Sequence, residues 1–138
     1  MELRDYQKEI VRLGVNVLKE HKFVYLAMEV RTGKTLTSLS ICKTLAVSNV
    51  LFITKKKAIS SIQDDYDLLN PDFSITIINY ESLHKIDSSL YDVVICDEAH
   101  GMGAFPKRNK RSKQVRSLIL ENDPFVIFLS GTPTPESF

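Results

Sequence analysis

Gly33, Lys34 and Thr35 stand together a few residues after the apolar run Phe23–Met28 and open a stretch with helical spacing. Backbone N–H groups at a helix N-terminus point outward and the helix dipole favours negative charge, so this is a place where phosphate can sit. Gly33 lets the backbone approach a phosphate closely. Lys34 would reach the β- and γ-phosphates of a nucleotide, and the Thr35 hydroxyl would ligate Mg²⁺. The full phosphate-loop pattern has a glycine five residues before Gly33, where this chain has Met28. Gly-Lys-Thr or Gly-Lys-Ser arises by chance in roughly one chain in ten of this length, so the strand–loop–helix setting carries much of the weight.

Asp97-Glu98-Ala99-His100 follows the apolar run Val93–Cys96. This tetrapeptide is expected by chance in on the order of one such chain in a thousand. Two acids at the end of an apolar strand are costly unless they meet a cation or water. Asp97 would hold the Mg²⁺ shell opposite Thr35, and Glu98 would orient and polarise an attacking water. The alternative is that Asp97 caps a helix with Glu98 in its first turn. His100 could equally be a core or surface histidine.

Elements that could hold these groups alternate along the chain. Leu3–Lys19 has helical spacing at Leu3, Tyr6, Ile10, Leu13 and Val17. Phe23–Met28 reads as a buried strand, Lys34–Val47 as a helix, Asn49–Thr54 as a strand and Lys57–Leu69 as a helix closed by Asn70-Pro71. Ser74–Asn79 is a third strand, Tyr80–Lys85 a short helix, Tyr91–Cys96 a fourth strand, Ser112–Glu121 a helix and Phe125–Ser130 a last strand. Alternation with near-continuous apolar strands predicts a mostly parallel sheet covered on both faces, an α/β sandwich of three layers formed by residues 1–138 as one domain. Ligands of such sheets bind beyond the carboxyl ends of the strands. Every polar constellation follows a strand: Gly33-Lys34-Thr35, Lys55-Lys56-Lys57, Tyr80-Glu81-Ser82, Asp97-Glu98 and Ser130-Gly131-Thr132. All are therefore expected on one edge of the sheet.

These segments resemble superfamily-two helicases and translocases, and within them the DEAH-box branch that includes chromatin-remodeller-type DNA translocases and phage helicases. Leu3-Arg4-Asp5-Tyr6-Gln7 resembles the glutamine motif that reads the adenine edge. Val30-Arg31-Thr32-Gly33-Lys34-Thr35 resembles the phosphate loop. Asn79-Tyr80-Glu81-Ser82-Leu83 is similar to the element that touches the nucleic-acid backbone, and Lys55, Lys56 and Lys57 sit where the family also contacts phosphates. Asp97-Glu98-Ala99-His100 is the box, and Ser130-Gly131-Thr132-Pro133 resembles the motif that couples the nucleotide site to the strand-binding face, with His100 beside it. The resemblance implies a RecA-like phosphate-loop lobe that binds ATP and Mg²⁺ and works on nucleic acid, DNA favoured over RNA. It also implies that the last strand lies between the first and the fourth, setting Ser130 and Thr132 beside Lys34 and Asp97. Many relatives carry a second glycine where Arg31 stands. Such motors need a second lobe that supplies an arginine finger, and this chain reads as an excised fragment lacking it, with weak turnover on its own.

Two other functions stay open: a nucleic-acid-binding module with little or no ATP turnover, and a different kind of phosphate-loop ATPase. Gln7 could be a polar residue on an amphipathic helix, and Tyr80-Glu81 a helix start. Net charge is only +1, so no global basic field marks a nucleic-acid partner. The basic residues cluster instead, at Lys55–Lys57 and again at Lys107, Arg108, Lys110, Arg111, Lys113 and Arg116. Such runs could track phosphates or be solvated surface. No apolar stretch is long enough to span a bilayer. Cys42 and Cys96 lie in apolar segments without CxxC spacing and read as reduced core residues. A cytoplasmic location is expected, that of the host cell if the origin is a phage.

Overall fold

The computed structural model describes residues 3–28, 33–87, 90–97 and 122–131. Five strands form one sheet: β1 (Phe23–Met28), β2 (Asn49–Thr54), β3 (Ser74–Asn79), β4 (Val93–Cys96) and β5 (Phe125–Gly131). Their spatial order is β1-β5-β4-β2-β3, and all four pairings are parallel. β5 thus lies between β1 and β4, as the resemblance implied.

The near-continuous apolar strands are explained by burial on two faces. Val50 and Phe52 of β2, Val93 and Ile95 of β4, and Ile127 and Leu129 of β5 join one core cluster with Val24, Leu26 and Met28 of β1. Their alternating neighbours Leu51, Ile53, Val94, Cys96, Val126 and Phe128 join a second cluster on the other face. Three helices pack on the first face: α1 (Asp5–His21), α2 (Lys34–Leu45) and α3 (Ile59–Leu69). The second face receives Tyr80 and Leu83 from a 3₁₀ turn at Tyr80–Lys85. No described helix is long and apolar enough to cross a membrane. Cys42 and Cys96 are buried and free, and burial pushes both thiols well above their ordinary range.

Helix boundaries follow local chemistry. Arg4 N donates to Gln7 Oε1 (2.9 Å), so one of the first backbone donors of α1 is satisfied from within the helix. Lys22 adopts the left-handed conformation (φ 63°) and ends α1 two residues later than the spacing predicts. Ala46 does the same (φ 58°) and ends α2 before Val47. A side chain on Gly14 of α1 would meet Ile41 Cδ1 of α2 at 2.7 Å, so glycine there permits the close approach of the two helices. α2 is buried nearly all round its middle, from Thr37 to Cys42. Buttressed in this way, its N-terminus is held firmly against the sheet edge. The expected helix Ser112–Glu121 and the basic run Lys107–Arg116 lie outside the described residues.

Candidate functional site

Lys34 is the first residue of α2, and Asp97 is the first residue past β4. Their side chains meet: Lys34 Nζ lies 3.1 Å from Asp97 Oδ1, with the side chains only 12% and 6% exposed. Residues 63 positions apart in sequence thus meet at the carboxyl edge of the sheet, although β5 lies between β1 and β4.

Asp97 is held from three sides. Its backbone N donates to Ile53 O (2.8 Å), which continues the β2–β4 ladder past Cys96. Thr54, at the end of β2 and fully buried, donates its hydroxyl to Asp97 Oδ2 (2.8 Å). Tyr80 donates its hydroxyl to Asp97 O (2.6 Å). A buried carboxylate is costly unless it is paired and hydrogen-bonded, and here one oxygen faces a cation and the other a hydroxyl.

Gly33 precedes Lys34 in the left-handed conformation (φ 73°). A Cβ there would also come within 2.3 Å of Gln7 Nε2. Glycine is required by conformation, and any side chain there would also push the Gln7 amide aside. Gln7 is buried (6% exposed), with its amide nitrogen over the turn that leads into α2. At the C-terminal end of β5, Ser130 is buried and pairs in register with Ala27 of β1.

A cleft of about 370 Å³ opens at this edge, lined by Gly33, Lys34, Thr35, Asp97, Lys55, Ser61 and Asp65 among others. A larger one, about 490 Å³, lies at the opposite edge of the sheet. Its polar groups serve the fold. Asp92 Oδ2 accepts from Ser48 N (2.9 Å) and Asn49 N (3.1 Å), and Lys22 pairs with Asp123 (3.1 Å). The smaller cleft holds the Lys34–Asp97 pair.

Of the residues singled out in the sequence, Gln7, Gly33, Lys34, Thr35, Lys55, Asp97 and Ser130 fall at the same edge of the sheet. Lys56, Lys57 and Glu81 are exposed near it. Tyr80 requires a correction. It was expected on the nucleic-acid face, but it is 3% exposed and its hydroxyl is bound to Asp97 O, so it braces the carboxylate segment from beneath. Val30, Arg31, Thr32, Glu98, His100 and Thr132 lie outside the described residues. Sequence reasoning missed Thr54. The available signal was a hydroxyl residue closing an otherwise apolar strand next to the strand that ends in Asp97. Among the described residues no group of three or more His, Cys, Asp or Glu side chains gathers as a metal cluster.

Residues 1–67 match the family described as "Type III restriction enzyme, res subunit". No curated protein matches the chain by sequence. Among solved structures, the chain is similar to a nuclease-deletion mutant of the Type ISP restriction-modification enzyme LlaGI in complex with a DNA substrate mimic (TM-score 0.70, 18% identity). It is also similar to the Sulfolobus solfataricus SWI2/SNF2 ATPase core in complex with dsDNA (TM-score 0.73, 18% identity). Each likeness covers 96% of this chain, and the chain spans only 18% and 32% of the respective relatives. The strand order, the parallel pairings and these likenesses together give the chain the RecA-like α/β fold of helicase cores, with its first 67 residues similar to a restriction-enzyme res subunit.

Proposed function

We propose that this chain is the ATP-binding lobe of a nucleic-acid-dependent ATPase of the DEAH-box helicase or translocase type. The observation that carries the reading is the contact between Lys34 at the head of α2 and Asp97 at the end of β4. A phosphate-loop lysine and a magnesium-holding carboxylate must face each other across a few ångströms, and these two do.

The donor set fits magnesium. Asp97 presents one carboxylate oxygen to a cation already, and Thr35 lines the same cleft. Thr35 and Asp97 would hold the ion, which would supply positive charge against the phosphates. Lys34 then turns from Asp97 toward the phosphates. Thr54 keeps Asp97 oriented while its cationic partner changes, because it binds the other oxygen. Gln7 faces the adenine: its carbonyl oxygen, with two lone pairs, can accept a second hydrogen bond beside that from Arg4 N. Val30, Arg31 and Thr32 complete the phosphate loop, and Glu98 orients the attacking water. His100, Ser130 and Thr132 link the nucleotide to the nucleic-acid face, on which Lys56, Lys57 and Glu81 lie. Both solved relatives are DNA complexes, which supports DNA as the partner. A second RecA-like lobe supplies the arginine finger, a group worth about 10³ to 10⁵ in turnover, so this lobe alone binds nucleotide and hydrolyses it poorly.

Thermal unfolding with and without Mg-ATP tests the reading, since a ligand selective for the folded state stabilises it. The melting temperature rises for the wild type and not for Lys34→Ala. An equal rise in both removes Lys34 from the phosphate site. No rise in the wild type, with DNA binding indifferent to ATP, turns the chain into a nucleic-acid-binding module.

A further inference from the structure

The lysine run Lys55–Lys57 divides in the structure. Lys56 and Lys57 form the 3₁₀ turn that leads into α3 and do not line the cleft, whereas Lys55 does, together with Gly33, Lys34, Thr35 and Asp97. The position of Lys55 is well determined. It follows Thr54, which is fully buried and bound to Asp97 Oδ2, and its carbonyl accepts from Ala58 N (3.0 Å). The backbone is therefore pinned on both sides while the side chain is exposed. Among the described residues Lys55 has no ion-pair partner, although Lys34 of the same cleft has Asp97.

The charges lining the cleft are of both signs. Lys34 and Asp97 cancel as a pair. Asp65 of α3 lines the same cleft and leaves it a negative charge. Lys55 lines the same cleft and carries the opposite charge. Burial, reinforced by the neighbouring Asp64, holds the Asp65 carboxyl above its ordinary value.

We propose that Lys55 is a second cationic contact for the terminal phosphate, in the same cleft as Lys34, and that it sets the preference of this site for a nucleoside triphosphate over a diphosphate. The inference rests on the phosphate-loop reading of Gly33-Lys34-Thr35. It moves Lys55 from the nucleic-acid face, where its sequence position suggested it, to the nucleotide cleft. Asp65 has the opposite role, weakening the binding of whichever phosphate stands nearest.

Calorimetric dissociation constants for Mg-AMP-PNP and Mg-ADP test this, measured on the whole chain as wild type, Lys55→Ala, Lys55→Gln, Asp65→Asn and Lys19→Ala. Lys55→Ala and Lys55→Gln weaken the triphosphate analogue about tenfold, the scale of one charge-assisted contact, and change ADP less than about twofold. Asp65→Asn tightens the analogue, and Lys19→Ala, on the exposed side of α1, changes neither. Equal loss for both nucleotides overturns the proposal, as does unchanged analogue binding. Loss of DNA binding alone in the Lys55 variants also overturns it and returns Lys55 to the nucleic-acid face. If the wild type binds neither nucleotide, the phosphate-loop reading falls and takes this inference with it; a wild type that binds both, with indifferent Lys55 variants, refutes the inference alone.

Discussion

Thr54→Val removes one oxygen from the centre of the site and almost nothing else. Valine has nearly the shape of threonine, and position 54 is fully buried, so no cavity forms and no water replaces the hydroxyl. The lost interaction is the 2.8 Å hydrogen bond to Asp97 Oδ2. Asp97 is 4% exposed, so that oxygen cannot turn to solvent without moving the ion pair with Lys34. A hydrogen bond to a charged group contributes about 1.5–3 kcal/mol, and leaving its acceptor short of a donor costs the same order. The expected loss is about 2 kcal/mol, or a fall of roughly 8 °C in melting temperature for a domain of this size. Thr54→Ser makes the opposite cut, keeping the hydroxyl and losing a methyl, at a cost of about 1 kcal/mol. Urea titration with an unchanged m-value separates the two. If valine is tolerated as well as serine, or better, the hydroxyl is not bracing Asp97 and the three-sided support described here is wrong.

Further outcomes follow from the same geometry. Gly33→Ala meets both a positive φ and the Gln7 amide at 2.3 Å; it destabilises the fold by about 2 kcal/mol and lowers nucleotide affinity in calorimetry. The same substitution costs less in a Gln7→Ala background than in the wild type, since the steric component is then removed and the conformational one is not; an equal cost in both means the contact is not the cause. Asp65→Asn changes stability in a pH-dependent way. Because the folded state holds this carboxyl above its ordinary value, its charged form is disfavoured in the fold. The native Asp65 is therefore best tolerated at low pH, and its contribution is lost as pH rises through its folded-state titration. The variant melts higher than the wild type near neutral pH, and the two converge as pH falls through the carboxylate range. A gap that instead widens toward acid refutes the assignment.

The strands were legible because each carries its own signature. β1, β2 and β3 begin and end where the apolar runs do, at Phe23–Met28, Asn49–Thr54 and Ser74–Asn79. β4 starts at Val93 rather than Tyr91, although Asp92 N already donates to Asn49 O and Asp92 O accepts from Phe125 N. Helix ends were less legible, since Lys22 and Ala46 adopt left-handed caps that neither residue type advertises. The Lys34–Asp97 pairing was legible as chemistry, from two motifs each at a strand end. The supports of Asp97 were not. Thr54 and Tyr80 reach it from 43 and 17 residues away, and which strand-end hydroxyl meets which carboxylate depends on sheet order and register. Tyr80 was misplaced for the same reason: its position after β3 puts it at the right edge, but whether its ring turns outward or inward is decided by packing against Leu51, Ile53 and Cys96.

The magnesium dependence of ATP binding tests the shared site most directly. With dissociation constants measured in Mg²⁺ and in EDTA, the wild type should bind ATP more tightly by tenfold or more (about 1.4 kcal/mol or above) when the ion is present. Asp97→Asn should bind ATP equally in both. If Asp97→Asn keeps the full magnesium effect, the ion is held elsewhere and the facing of Lys34 and Asp97 is a structural ion pair rather than a nucleotide site.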